Sequence, residues 1–219
     1  MRTSSALLRT SCLLGAMLLV ACQPAQDKDA SAPTGIAAKA MDEAQKGLGQ
    51  ASKELQQART EIDAAREKLA TENISLNRDD KQNLPKAEIT PSGELLIEGK
   101  AVATTPEQKT LVLAYRAELL QVVGDGMAIG MEGASIGIDA AAMALKGVLA
   151  GQSGDEIGKQ VGSDAKAKLK PKVEQLCARM PGLLSAQQAL SAKLPAFTPY
   201  ATMDQADVDD CMSNTDWNF

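Results

Sequence analysis

The chain has 219 residues, with 23 Lys or Arg against 28 Asp or Glu, no His, 44% apolar residues and 2% aromatic. Without His, His-dependent catalysis and His-ligated metals are excluded, and a net charge of −5 with almost no stacking rings speaks against nucleic-acid binding. The apolar content is that of a folded chain of one or two domains, not of a disordered one.

Residues 1–21 read as a signal peptide. Arg2 and Arg9 make a positive start, and Cys12 to Ala21 is an apolar run of ten residues, too short to span a bilayer. The run ends Leu19-Val20-Ala21-Cys22. Small residues there give a peptidase access to the backbone, and the Cys22 thiol can take a diacylglycerol. This pattern resembles the signal of bacterial lipoproteins. The resemblance implies a palmitate-type acylated Cys22 that holds the chain to a membrane, in the cell envelope and facing the periplasm. The alternative is an ordinary secretory signal cut nearby, with Cys22 a plain thiol. Gln23, where an Asp marks inner-membrane retention in enteric bacteria, points to the outer membrane.

Two cysteines remain once Cys12 leaves with the signal and Cys22 carries lipid. In an oxidising compartment Cys177 and Cys211 are expected to form a disulfide bond. Reduced buried thiols, or pairing with a partner, are the alternatives. No Cys-x-x-Cys spacing suggests a redox site. Loss of Arg2 and Arg9 leaves 21 basic and 28 acidic side chains, a mature charge of −7 that does not draw the protein to anionic headgroups.

Residues 22–35 lack periodicity and read as a flexible tether. The next segment, 36–84, carries a heptad repeat. Met41, Leu48, Leu55, Ile62, Leu69 and Leu76 recur every seven residues, and Ala37, Ala44, Ala51, Ala58 and Ala65 follow the same period on the neighbouring row. The spacing predicts one helix from Ile36 to about Leu76, weakened by Gly47 and Gly49. Its seam suits packing on another helix of the same chain. It equally suits a homo-oligomeric coiled coil or an envelope protein partner, with Glu54, Arg59, Glu61 and Arg66 placed for flanking ion pairs.

Residues 85–219 form a second, helical part that begins with a β-hairpin. Ile89-Thr90-Pro91-Ser92-Gly93 and Glu94–Glu98 read as strand, turn, strand, and Glu98-Gly99-Lys100 as a second turn. Thr105, Pro106 and Gln108 make a capping box for a helix whose buried side is expected at Leu111, Leu113, Ala114, Ala117, Leu120 and Val123.

Gly then occurs at 124, 126, 130, 133, 137, 147 and 151, while charge is confined to Asp125, Glu132, Asp139 and Lys146, seven apart. On a helix this is one polar stripe on a small-apolar cylinder. Interior glycines cost about 1 kcal/mol each against Ala, so close backbone approach is expected to offset them. The rows Gly126/Gly130/Ala134 and Gly133/Gly137/Ala141 suit a tightly packed helix pair. Membrane insertion is disfavoured by the charges. Three shorter helical stripes follow, at 157–169, 173–180 and 183–194, separated by Pro171 and by Pro181-Gly182. The acidic, aromatic tail is expected to be loose unless Cys211 staples it.

Catalytic templates fail. Gly124-x-Gly126 followed by Gly130 misses the dinucleotide spacing, and no phosphate loop or nucleophile elbow occurs. Asp204, Asp207, Asp209 and Asp210 lack calcium-loop spacing, and Asp79-Asp80 reads as a solvated turn. Glu118 and Glu132 could act as a carboxylate pair only if folding brings them together.

Ile89-Thr90-Pro91-x-Gly93, Gly99-Lys100, Gln108, Tyr115-x-Ala117-Glu118-Leu119 and Cys177-x-Arg179 are similar to the YggN-like family of bacterial periplasmic proteins, over roughly residues 86–180. That family has no established activity, so the resemblance implies no catalytic residue; it implies a partner for Cys177 near the N-terminus. The lipid Cys, short tether and Ala-rich heptads separately resemble the murein lipoprotein plan. The C-terminal Lys of that family is replaced by Phe219, so wall attachment is not implied.

The sequence therefore predicts a mainly α protein, an elongated helical bundle with a long N-terminal heptad helix and a small β-hairpin. It points to a lipid-anchored, non-enzymatic envelope module with no cofactor or metal. The alternative is a carrier of an apolar ligand such as a lipid, with Met127, Met131 and Met143 as adaptable wall residues.

Overall fold

The computed structural model describes residues 35–76 and 84–213. The signal segment, Cys22, the tether through residue 34 and Asp79-Asp80 lie outside them. The heptad segment forms helix α1, Gly35–Thr71, 37 residues and about 55 Å long. Along it, Met41, Leu48, Leu55, Ile62 and Leu69 are half-buried while most intervening positions are exposed, the pattern of one narrow apolar seam.

The helix stops one turn short of the predicted Leu76. Ile74–Ser75 instead forms strand β1, because Ile74 can enter the core opposite Ile89. Strands β2 (Ala87–Ile89), β3 (Leu95–Ile97) and β4 (Lys100–Ala101) complete an antiparallel sheet in the order β1-β2-β3-β4. The predicted hairpin is thus the centre of a four-stranded meander. Its register sets Ile74 opposite Ile89 and Ile89 opposite Leu95, one buried row across three strands. The β2–β3 turn needs Gly93: its φ is +83°, and a Cβ there would lie 2.6 Å from Cγ of Leu113. Thr90 closes the turn, its hydroxyl accepting from the Glu94 amide at 3.0 Å.

Helix α2 runs unbroken over Pro106–Leu149, 44 residues, opened by the expected Thr105/Gln108 capping box. Its buried face is Val112, Tyr115, Arg116 and Leu119. The predicted face is displaced: Leu113 is 40% exposed, and Ala114 and Ala117 are exposed. Tyr115 and Leu119 were off the expected stripe because small alanines at 114 and 117 mimic a core row without filling one.

Helix α3 spans Gly154–Lys193 and passes through Pro171 and Pro181 without ending. Each proline removes an amide donor and crowds the preceding turn, a cost of about 3 kcal/mol in an isolated helix. Antiparallel packing on α2 over the length of the hairpin holds the helix through both. Its N-terminus carries a capping box, Ser153 and Glu156, legible in the sequence as Ser-x-x-Glu but not singled out there. The amide and hydroxyl of Ser153 both donate to the Glu156 carboxylate, and these bonds hold that carboxyl below its usual pKa.

The tail is ordered, with Cys211 bonded to Cys177 as the staple expected from the sequence. A 3-10 turn, Pro195–Tyr200, places Phe197 at 0% exposure and Tyr200 at 6%, and helix α4, Gln205–Ser213, adds Val208. The core sits at this end of the molecule. The sheet row, Val112, Tyr115 and Leu119 of α2, Leu183, Leu184, Leu190 and Leu194 at the α3 C-terminal end, and the tail residues form one apolar cluster. Tyr115 and Phe197 meet edge-on with ring centroids 5.1 Å apart.

Candidate functional site

Away from that core, α2 and α3 continue as a bare antiparallel hairpin. The three acids of the polar stripe of α2 lie along the edge that meets α3. Asp125 accepts from Nε of Arg179 and, at 3.1 Å, from Nε2 of Gln175; Glu132 pairs with Lys172 at 3.6 Å, and Asp139 with Lys168 at 3.1 Å. The acids, seven apart, thus meet cations on α3 that lie seven and then four residues apart, Arg179, Lys172 and Lys168. Pairs this exposed contribute modestly to stability, but they fix which face of α2 meets α3.

What remains outward is apolar and small. Gly126, Gly130, Ala134, Gly137 and Ala141 are all exposed and follow one another at helical spacing. The close approach expected of the glycines does not occur. A Cβ built on Gly124, Gly126, Gly130, Gly133 or Gly137 would meet no neighbouring atom within 4 Å. Gly147 differs: a Cβ there would lie 2.6 Å from Cδ1 of Ile157, so this glycine lets the hairpin close. Among the described residues one helix, α2, is long and apolar enough to cross a membrane, and only 6% of its most apolar window is buried.

Helix α1 lies beside this face rather than on it, antiparallel to α2. Arg66 donates to the Gly124 carbonyl at 3.3 Å, and a cleft of ≈ 290 Å³ between the helices is lined by Arg59, Ile62 and Arg66 on one side and Ala128, Met131 and Ser135 on the other. Intramolecular packing is therefore where the C-terminal half of the heptad seam goes. Met143 instead lines a groove between α2 and α3, with Ile136 and Val161.

Arg116, which sequence reasoning missed, fastens α1 to α2. It is only 5% exposed, and its guanidinium donates to the carbonyls of Leu69 and Glu72 at 2.7 Å each. These are carbonyls at the end of α1, where the helix dipole favours a cation. Burial lowers the Arg116 pKa from that of a free guanidinium, and Nε is left without a partner. The signal was present: a cation falls within the apolar row Val112, Tyr115, Leu119 at helical spacing.

The residues singled out from sequence resolve as follows. Cys177 and Cys211 stand in disulfide geometry with Cα atoms 5.5 Å apart, joining α3 to α4. Glu118 faces Gly182, whereas Glu132 pairs with Lys172; fourteen residues apart on one helix, they are separated by about 21 Å and form no carboxylate pair. Asp204 and Asp207 cap α4 reciprocally through each other's amides at 2.9 and 3.1 Å. Among the described residues no group of three His, Cys, Asp or Glu could hold a metal ion. The landmarks of the family resemblance have structural work: Gln108 accepts from the Thr105 amide and donates to the Lys193 carbonyl at 2.6 Å, tying the start of α2 to the end of α3.

No family model, curated protein or solved structure matches the chain.

Proposed function

We propose that this protein is a lipid-anchored module of the bacterial cell envelope that works by non-enzymatic interaction, held to the membrane by an acylated Cys22 and facing the periplasm from the outer membrane. One observation carries the interaction reading: the distal half of α2 turns Asp125, Glu132 and Asp139 toward α3 and leaves a small, apolar face outward. Soluble helices normally do the reverse. A helix surface without side-chain bulk can be approached closely by a partner backbone. The Leu19–Cys22 pattern supports the anchor, and the turn, cap and cysteine landmarks over residues 86–180 support kinship with the YggN-like family.

A second reading has a specific observation behind it. The cleft between α1 and α2 combines an apolar floor at Ile62 and Met131 with two cations, Arg59 and Arg66, and two acids, Asp63 and Glu132, a lining suited to an apolar ligand with a polar or zwitterionic end. Its volume of ≈ 290 Å³ lies at the lower limit of small-molecule pockets, about 300 Å³.

Two measurements test the proposal. Cys22→Ser should move the protein from the membrane fraction to the osmotic-shock fluid. A photo-crosslinking residue at Ala134 should yield a discrete adduct in living cells, and one at Ala178 on α3 should not. Membrane retention of Cys22→Ser would end the anchor reading, and crosslinking indifferent to position would end the interaction reading. Native mass spectrometry of the purified protein would show bound lipid if the carrier reading holds.

A further inference from the structure

The turn joining α2 to α3 is the second apolar feature left outward. Val148 is 63% exposed and Leu149 57%, at the end of α2, and Gly151 takes φ +74° to reverse the chain. Isolated exposed side chains of this kind are ordinary, so position has to decide. Helix α1 runs antiparallel to α2, with Leu69 beside Arg116 and Arg66 beside Gly124. Continuing both helices at their rise per residue brings Leu149 level with about residue 41, so Gly35 and the hairpin turn end within about 10 Å of each other along the bundle. The sheet, the tail and the apolar core occupy the opposite end, about 45–65 Å away.

Twelve residues separate Cys22 from Gly35. Whatever path they take, they span at most about 45 Å. An anchor at Cys22 therefore keeps Gly35 within about 45 Å of the bilayer, and the turn end, rather than the core end, is the part of the bundle that starts nearest the tether. Charge does not oppose contact there: Lys146 and Lys159 balance Asp155 and Glu156 around the turn. We propose that Val148 and Leu149 insert into the interfacial layer of the membrane that carries the anchor, so that the protein touches lipid at two points and the helical hairpin stands away from the surface. This inference rests on the acylated Cys22 of the preceding section. The occupant is a lipid surface; a second protein chain over the turn is the competing outcome.

The test uses the full acylated chain in vesicles of phosphatidylethanolamine and phosphatidylglycerol. A Leu149→Cys variant is labelled with an environment-sensitive fluorophore, and Ser92→Cys, in the β2–β3 turn at the far end, is the control. The label at 149 should shift to the blue and lose about half its intensity to lipids carrying a shallow spin-label quencher, the depth at which interfacial apolar side chains sit. The label at 92 should do neither. A blue shift without lipid quenching would mean that protein covers the turn and would overturn the proposal. So would an unshifted label on protein that mass spectrometry finds acylated and that floats with the vesicles, and in that case the anchor reading survives. Protein without acyl chains that fails to float would overturn both.

Discussion

Arg179 on α3 donates from Nε to the carboxylate of Asp125 on α2. The pair marks the boundary of two regimes. Toward the sheet, the hairpin is held by an apolar core; beyond the pair, it is held by exposed ion pairs and a few apolar side chains, of which Ile136 and Ile157 are buried. Arg179 also donates through Nη1 to Gln121, so one guanidinium grips two turns of α2. Arg179→Met keeps the stem and loses the charge, and should destabilise the protein by about 1–2 kcal/mol in urea denaturation. A double-mutant cycle with Asp125→Asn should recover most of that loss as coupling energy.

Arg116→Met tests how α1 is fastened. It leaves two main-chain oxygens at the end of α1 without their donor and should cost about 2–3 kcal/mol. Hydrogen exchange should rise first in residues 60–76, while the amides around Leu190 and Phe197 stay protected. Equal loss of protection in both regions would show that α1 is not a separately docked element.

The glycines divide into two classes. Gly130→Ala and Gly137→Ala add a methyl where no neighbouring atom lies within 4 Å, and each should stabilise the protein by up to about 1 kcal/mol. Gly147→Ala meets Ile157 at 2.6 Å and should destabilise by about 1–3 kcal/mol. Thermal melts of the three variants, read together, separate open helix surface from closed contact.

Cys211→Ser opens a loop of 34 residues' separation. In the chain-entropy account that costs about 3–4 kcal/mol. Phe197, Tyr200, Met203 and Val208 are core residues, so the tail should remain docked in the variant and resist limited proteolysis under native conditions while its melting temperature falls. Peptide mapping without reductant should recover a Cys177–Cys211 cross-linked peptide from the wild-type protein.

Tyr200 gives the protein a response to high pH. Its hydroxyl donates to the Pro85 carbonyl at 2.9 Å, and desolvation, then Glu98, raises its pKa above the usual 10.0. The fold holds the neutral phenol, so this contribution is complete below pH 10 and is lost as pH rises through the native pKa. Stability of the wild-type protein should fall with pH above about 10 more steeply than that of Tyr200→Phe. At pH 7 the variant should be weaker by about 1 kcal/mol for the missing hydrogen bond.

Local patterns carried much of the fold. The heptads of α1, the Thr105/Gln108 cap, the Gly93 turn and the candidate pairing of Cys177 with Cys211 were legible because each depends on residues close in sequence or on a count of two. Pro171 and Pro181 were misleading for the same reason: proline is a local helix breaker, and only a long partner helix outweighs it. The staple of the tail was legible, but its apolar docking was not, because its aromatics find their core across the molecule, Phe197 against Tyr115 and Tyr200 against Pro85.

The sequence by itself determined that α2 has one charged stripe on a small apolar cylinder, since periodicity on a helix is set by backbone geometry. Only the tertiary structure decided which way the cylinder turns. Cations on α3 claim the three acids of the stripe, because Arg179, Lys172 and Lys168 fall on the α3 face that meets α2 and long side chains absorb the uneven spacing, and the glycines are left facing outward. The direction of α1 was decided the same way, by a buried guanidinium, Arg116, that takes the carbonyls at the end of that helix.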